Sequence, residues 1–226
     1  MKFALSVLLA AVVAQPCAAQ LETRLGSKIP VPKPAEAPDS LMSKTDRARL
    51  VVSEFGECVV RSAPAEAHQI VDLFPSDPVQ GKLFDRVLTS DCLRNSDLTM
   101  SYQIVRGAIF IGLYRKDYGR VAPAMSALKV DYSKGSQPDS ADDKQKIGLL
   151  EFADCAFRAD PVDARNIVLS RPSGSKEAGA FAGIAPHLNA CLTSGLQIAF
   201  SKALLAGLFA EVAYRSALAA QQDGTH

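Results

Sequence analysis

The chain has 226 residues, of which 48% are hydrophobic, with 25 lysines and arginines against 24 aspartates and glutamates. It contains five cysteines and no tryptophan, a composition typical of a globular protein with one or two cores. The balanced charge argues against nucleic-acid binding, which needs an excess of Lys and Arg to displace counterions. We therefore expect no nucleic-acid partner.

The N-terminal residues 1–19 have the features of a cleaved signal peptide. Met1 and Lys2 form a short basic start, an apolar run follows from Phe3, and small residues end at Ala19. Cleavage there removes one lysine, no acid and Cys17, which leaves 24 basic residues, 24 acidic residues and four cysteines. The sequence thus predicts export to a periplasm or the cell exterior. An even number of cysteines in an exported chain predicts disulfide bonds.

Prolines and apolar periodicity divide the rest of the chain. Residues 20–44 contain four prolines and little apolar periodicity, so they are predicted to form a flexible leader. Helical spacing of apolar residues covers 45–130 and 144–220, which predicts two helical modules and an all-α fold. Residues 131–143 are rich in Ser, Gly, Pro and Asp and are predicted to be a linker. Residues 221–226 are predicted to be a disordered tail.

The helices of the first module are predicted from their apolar stripes and start signals. A first helix buries Val52, Phe55 and Val59, and Pro64 marks the first position of a second helix. The stripe of a third helix contains Val79, Leu83, Phe84, Val87 and Leu88. A fourth helix over 104–114 is apolar nearly all round and should be buried.

The two modules repeat each other in sequence. Residues 54–71 and 151–168 align without a gap and share eight of eighteen residues. Further along the chain, Gly107 and Tyr114-Arg115 of the first module align with Gly207 and Tyr214-Arg215 of the second. The difference in residue number between aligned positions grows from 97 to 100. This period is longer than the roughly 20–50 residues of solenoid repeats. It predicts a tandem duplication of a helical module of about 75–100 residues, fused into one pseudo-symmetric domain.

The last helix of the second module is apolar enough to raise the question of a membrane anchor. Residues 197–214 include Lys202 and Glu211. A charge at the centre of a bilayer costs roughly 2.5–3.5 kcal/mol on the insertion scale. We therefore expect a buried core helix and no transmembrane segment in the mature chain.

Each module carries one pair of cysteines: Cys58 with Cys92, and Cys155 with Cys191. Four cysteines allow three connectivities, and symmetry alone does not choose among them. Because a duplicated module would most simply copy an internal bond, we expect one disulfide within each module. A cross-module pairing and free buried thiols are the alternatives.

Residues present in both copies are the candidate binding residues: Glu54, Arg61 and Tyr114 in the first module, and Glu151, Arg158 and Tyr214 in the second. An acid lies four residues before each of Arg61 and Arg158, which predicts a helical ion pair at both places. Such pairs are sufficient to explain why both modules have arginine at this position. The tyrosines are expected to bury their rings and leave their hydroxyls at the surface. No catalytic residue, metal site or cofactor is predicted, because the chain lacks metal-ligand spacings, nucleophile motifs and phosphate-binding loops.

These patterns favour an exported, non-enzymatic helical protein. Its predicted role is structural, or the binding of a protein or small ligand at the seam between the modules. The alternative is a periplasmic hydrolase of cell-wall or glycan material. Such an enzyme would use Glu54 and Glu151 as paired carboxylates, as glycoside hydrolases do.

Overall fold

The computed structural model describes residues 42–73, 77–88, 92, 100–127, 129–134, 136–137, 140–192 and 200–223. The predicted signal peptide, nearly all of the leader and residues 224–226 lie outside the described residues. Within the described ranges the chain folds into helices with no strand, so the predicted all-α class is confirmed. The helices are α1 (Lys44–Ser62), α2 (Pro64–Asp72), α3 (Pro78–Leu88), α4 (Tyr102–Tyr118), α5 (Ala141–Ala159), α6 (Pro161–Leu169), α7 (Ser175–Cys191) and α8 (Lys202–Asp223).

Side-chain caps determine where several helices begin. The Ser43 hydroxyl accepts a hydrogen bond from the backbone N–H of Asp46 at 3.0 Å and starts α1. The Asp160 carboxylate accepts from the N–H of Asp163 at 3.0 Å and starts α6. Proline is the first residue of both α2 and α6, where its missing N–H removes no helical hydrogen bond.

Helices α4 and α8 form the centre of the molecule. Every residue of α4 from Ile104 to Tyr114 is buried, as its nearly continuous apolar sequence predicts. Helix α4 packs against α1 and α8, and α8 also contacts α5 and α6. The buried apolar side chains of all eight helices join in one continuous core, with Phe55, Phe110 and Phe209 fully enclosed. Burial of this shared surface is the main driving force for folding.

Glycines allow α4 to approach its two main neighbours at backbone distance. A Cβ added to Gly56 of α1 would overlap the backbone of Ala108 in α4. Where α4 crosses α8, a Cβ on Gly107 would lie 2.8 Å from the Cα of Gly207. A Cβ on Gly207 would lie 2.7 Å from the Cα of Gly107. No larger residue fits at these crossings without separating the helices.

Helix α8 is long and apolar enough to cross a membrane by length and composition alone. Of its most apolar stretch, which lies within Lys202–Gln222, 72% is buried inside the protein. Among the described helices no other is both long enough and apolar enough to cross a membrane. Length and apolarity of this kind are also typical of a core helix.

The segment predicted to be a linker is partly built into the core. Helix α5 begins at Ala141, three residues earlier than predicted, because the Ser140 hydroxyl caps the N–H of Asp143 at 3.3 Å. The Asp143 carboxylate in turn accepts from the N–H of Gln137 at 2.7 Å. Tyr132 is only 5% exposed and packs against the core. Its aromatic ring anchors a segment whose composition alone is typical of a loop.

Two smaller predictions need correction. Val79 is 53% exposed and does not belong to the apolar stripe of α3. It is the second residue of that helix, where the Asp77 carboxylate accepts from its N–H at 2.8 Å and holds it on the solvent side. The tail prediction was also wrong at its start, since α8 continues to Asp223. There Gln221 donates to the Tyr118 hydroxyl at 3.1 Å and ties the last turn to α4.

Both disulfides join cysteines of the same predicted module, as expected. Cys58 is bonded to Cys92 with 5.6 Å between their Cα atoms, and Cys155 to Cys191 with 5.8 Å. The closed loops span 34 and 36 residues. Each bond ties the first long helix of its half to a residue that precedes the last helix.

Removal of the second disulfide should weaken the fold substantially. We expect the Cys155→Ala/Cys191→Ala variant to lose about 3–4 kcal/mol of unfolding free energy, because a loop of this length restricts the unfolded chain. Urea unfolding followed by circular dichroism measures the loss. The Cys58→Ala/Cys92→Ala variant should lose a similar amount. Equal midpoints for wild type and both variants would contradict the prediction.

Candidate functional site

The predicted carboxylates Glu54 and Glu151 both lie on exposed helix surfaces. Glu151 on α5 binds the exposed Lys129 ammonium at 2.9 Å. Within the described part of the chain, no hydrogen bond or ion pair joins Glu54 to another residue. Neither carboxylate therefore lies in an enclosed cleft of the kind that catalytic carboxylates occupy.

The two predicted arginines have different surroundings. Arg158 pairs with Asp154 at 3.0 Å, as its helical spacing predicts, and also donates to the Ser126 carbonyl at 2.9 Å. Arg61 is exposed, and among the described residues it makes no ion pair with Glu57. That prediction was wrong because Glu57 faces α4, where it accepts instead from Arg115 at 2.6 Å.

The two predicted tyrosines are buried together with their hydroxyls, which corrects the expectation of surface hydroxyls. Tyr114 is 1% exposed, and burial raises the pKa of its hydroxyl more than the neighbouring Arg165 lowers it. The Tyr214 hydroxyl donates to the Asp117 carboxylate at 2.7 Å. Burial and that bond raise the pKa of Tyr214 as well. The Tyr214 hydroxyl thus joins α8 to α4, and the Tyr114 hydroxyl on α4 lies next to Arg165 of α6.

A buried ion network joins α4 and α8. The Arg106 guanidinium forms two hydrogen bonds to Glu211, Nε at 2.9 Å and Nη2 at 2.8 Å. Arg215 donates to the same carboxylate at 2.9 Å. Arg106 also donates to the Ile70 carbonyl at 3.2 Å, the Leu73 carbonyl at 2.9 Å and the Gln80 side chain. Such dense bonding compensates the desolvation of charges that are almost fully buried.

Electrostatics in this network follow from burial and opposite charge. Burial alone would raise the pKa of Glu211, but the charges and hydrogen bonds of Arg106 and Arg215 hold it below its ordinary value. Burial lowers the pKa of Arg106, and Glu211 opposes that effect. The sequence-based search missed this network. A usable signal was present, since Arg106 and Glu211 are opposite charges within two otherwise apolar helical stretches.

A small cleft lies on the other side of the α4–α8 crossing, and we call it the seam cleft. Its volume is about 20 Å3, enough for a water molecule or a small chemical group. Apolar residues from both halves of the chain form much of its walls: Val52, Ile111, Ile167, Pro172, Ala203 and Ala206. Polar residues complete the lining: Arg49, Ser53, Arg115, Ser170, Glu177 and Lys202.

Arg49 is the most unusual side chain of the seam cleft. It is 7% exposed and donates through Nη2 to Glu177 at 2.5 Å. Within the described residues its Nη1 and Nε atoms have no hydrogen-bond partner, although Nε lies 3.5 Å from an Asp46 oxygen. The buried Ser170 hydroxyl is likewise unpaired among the described residues. Buried donors without partners are rare, so each needs a structural or functional explanation.

The other charges of the seam cleft are already paired. Glu177 also accepts from the N–H of Ser173 at 2.9 Å. Arg115 donates to the Val168 and Ser170 carbonyls, each at 2.8 Å, in addition to its bond to Glu57. The Lys202 ammonium lies 5.0 Å from the centre of the Phe181 ring, which stabilises its charge.

Among the described residues, no group of three or more His, Cys, Asp or Glu side chains is arranged to hold a metal ion. Comparisons of the chain with protein-family models, with curated proteins and with solved structures found no match.

Proposed function

We propose that this chain is an exported, non-enzymatic helical protein that binds a small ligand at the seam between two copies of a duplicated module. The observation that carries the proposal is the seam cleft, because its lining residues come from both halves of the chain. A larger protein partner is a weaker fit, because the cleft has room only for a small group.

Support for a duplicated module comes from contacts that have counterparts in both halves. Helices α1 and α5 each have 19 residues, and α2 and α6 each have nine. The aligned glycines, Gly107 and Gly207, meet each other at the α4–α8 crossing, as residues beside a two-fold axis do. Arg115 donates to the Ser170 carbonyl in the second half, and its counterpart Arg215 donates to the Leu73 carbonyl in the first.

Support for export comes from the sequence of residues 1–19 and from the disulfides. Two disulfides are compatible with folding in an oxidising compartment and are rare in reducing ones. The periplasm and the cell exterior both meet this condition.

The hydrolase alternative has less support. It requires two carboxylates that face a shared cleft. Glu54 and Glu151 are exposed, on helices α1 and α5 that do not pack extensively on each other, and Lys129 already binds Glu151. No feature of their surroundings favours acid–base chemistry over a solvated surface role.

The proposal is tested by native mass spectrometry of the chain isolated from the exported fraction of its producing cells. We expect a mature chain that starts at Gln20, contains two disulfides and carries a small ligand as added mass. An Ala206→Leu variant should lose the added mass, because the larger side chain fills the seam cleft.

The matched control is Ala185→Leu, the same substitution at an exposed position of another helix. This control should keep the ligand. A bare mature mass for the wild type, or retention of the ligand by Ala206→Leu, would contradict binding at the seam. A chain that retains residues 1–19 would contradict the predicted cleavage.

A further inference from the structure

We infer that the Cys58–Cys92 disulfide is a site of thiol–disulfide exchange, which an external dithiol opens by attack on Cys58 Sγ while Cys92 leaves as a thiolate. Neither cysteine lines the seam cleft, so this reaction goes beyond the proposed function and does not depend on it. Its basis is a difference between the surroundings of the two disulfides.

A hydroxyl group lies against the first disulfide and is missing at the second. Ser62 Oγ is 3.2 Å from Cys92 Sγ and 2.9 Å from the Cys58 carbonyl oxygen, to which it donates. A disulfide sulfur carries no proton, so the hydroxyl is the only possible donor to Cys92. Rotation about its C–O bond can turn this proton from the carbonyl oxygen to a sulfur that becomes negative. The residue that aligns with Ser62 in the second half is Ala159, which has no hydroxyl.

The positions of the four sulfurs relative to helix ends also differ. Cys155 and Cys191 lie near the C-terminal ends of α5 and α7, where unpaired helix carbonyls disfavour a negative charge. Cys58 lies near the C-terminal end of α1 in the same way. Cys92 lies between α3 and α4, outside both helices. Of the four sulfurs, Cys92 is therefore the one best able to leave as a thiolate.

The exchange takes place in two steps. Cys58 and Cys92 are partly exposed, so an external thiolate can reach Cys58 Sγ. A new S–S bond forms there while the Cys58–Cys92 bond breaks, and the electron pair of the broken bond goes to Cys92 Sγ, which accepts from Ser62. The second thiolate of the reagent then attacks the reagent sulfur of the mixed disulfide and releases Cys58. Each cysteine takes up one proton from water, and the dithiol is oxidised to its disulfide.

The hydroxyl should act on the rate of this exchange. A hydrogen bond to a charged group is stronger than one to a neutral group, and negative charge grows on Cys92 Sγ in the transition state. Ser62 therefore stabilises the transition state more than it stabilises the intact disulfide. Since only part of the charge has developed at that point, we expect an acceleration of about three- to tenfold.

The bond that opens restrains α2 and α3. Both helices lie within the loop that it closes. The same loop supplies the Leu73 carbonyl and the Gln80 side chain that accept from Arg106. Reduction would thus loosen the surroundings of the buried ion network. Hydrogen exchange in α2 and α3 should be faster in the chain with only this bond open than in the oxidised chain, and equal exchange would contradict this role.

The experiment treats the folded mature chain with dithiothreitol, stops the reaction with N-ethylmaleimide and identifies the alkylated cysteines by peptide mass mapping. We expect Cys58 and Cys92 to be alkylated at least about threefold faster than Cys155 and Cys191, in proportion to the reagent concentration. Glutathione has one thiol and should stop at a mixed disulfide on Cys58, with Cys92 free. Rates that do not depend on reagent concentration would mean that the bonds open only after unfolding, and would overturn the inference.

Matched variants exchange the hydroxyl between the two halves. Ser62→Ala should slow opening of the first disulfide by about three- to tenfold, and Ser62→Thr, which keeps a hydroxyl, should open as the wild type does. Ala159→Ser should speed opening of the second disulfide and leave the first unchanged. Both positions are exposed, so all three variants should fold, which circular dichroism checks.

Three results would each overturn the inference: faster opening of the second disulfide, a glutathione adduct on Cys92, or an unchanged rate in Ser62→Ala. None of them bears on the seam cleft, whose ligand is detected separately as added mass. Loss of the exchange reaction would therefore leave the proposed function intact, and a seam cleft without a ligand would leave the exchange reaction intact.

Discussion

Replacement of Gly107 by alanine should cost about 2–3 kcal/mol of unfolding free energy, and replacement by leucine should prevent folding. The new Cβ would lie 2.8 Å from the Cα of Gly207, and backbone atoms cannot rotate out of the way as a flexible side chain can. Helices α4 and α8 would have to separate along the centre of the shared core. A loss of this size is a large part of a typical stability of about 5–15 kcal/mol.

The matched control is Gly179→Ala on α7, where an added Cβ would meet no atom within 4 Å. That substitution should stabilise the chain by about 0.5–1 kcal/mol, because alanine has the higher helix propensity. Urea unfolding with the disulfides intact measures both variants. If Gly107→Ala proved as stable as Gly179→Ala, the close crossing of α4 and α8 would be contradicted.

The helices could be predicted from sequence because their signals are local. Pro64 and Pro161 mark helix starts, and the alternation of buried and exposed residues in α1 follows a helical period. The pairing of the cysteines could also be predicted, because a duplicated module would most simply repeat an internal disulfide. Segment 131–143 was harder, because the burial of Tyr132 depends on helices far away in sequence.

The candidate site could be predicted only in part. The search for residues shared by both copies found Tyr114 and Tyr214, whose burial makes them part of the packing. It could not find Arg49, whose counterpart by sequence is a different residue, Lys146. The lining of the seam cleft includes residues that differ between the aligned stretches of the two halves, such as Ala206 at the position that aligns with Arg106. A comparison that looks for identical residues therefore could not find the cleft.

Glu211→Gln should cost about 3–5 kcal/mol at neutral pH, because it leaves Arg106 and Arg215 without a counter-charge. The side chain keeps its shape, so the loss reports charge and not volume. Folding holds the pKa of Glu211 below its ordinary value of 4.5. The carboxylate therefore contributes its full stabilisation above about pH 4.5, and this is lost as the pH falls through the lower, folded-state pKa.

The pH dependence distinguishes this buried network from an ordinary surface pair. The free-energy difference between wild type and Glu211→Gln, from urea unfolding, should be constant near neutral pH and shrink below pH 4.5. Asp142→Asn is the matched control, since Asp142 binds Lys146 at 2.5 Å with 68% of its side chain exposed. That exposed pair should contribute less than about 1 kcal/mol. A Glu211→Gln loss no larger than the control would mean that Arg106 and Arg215 reach solvent without their carboxylate. The α4–α8 interface would then be held by apolar packing alone.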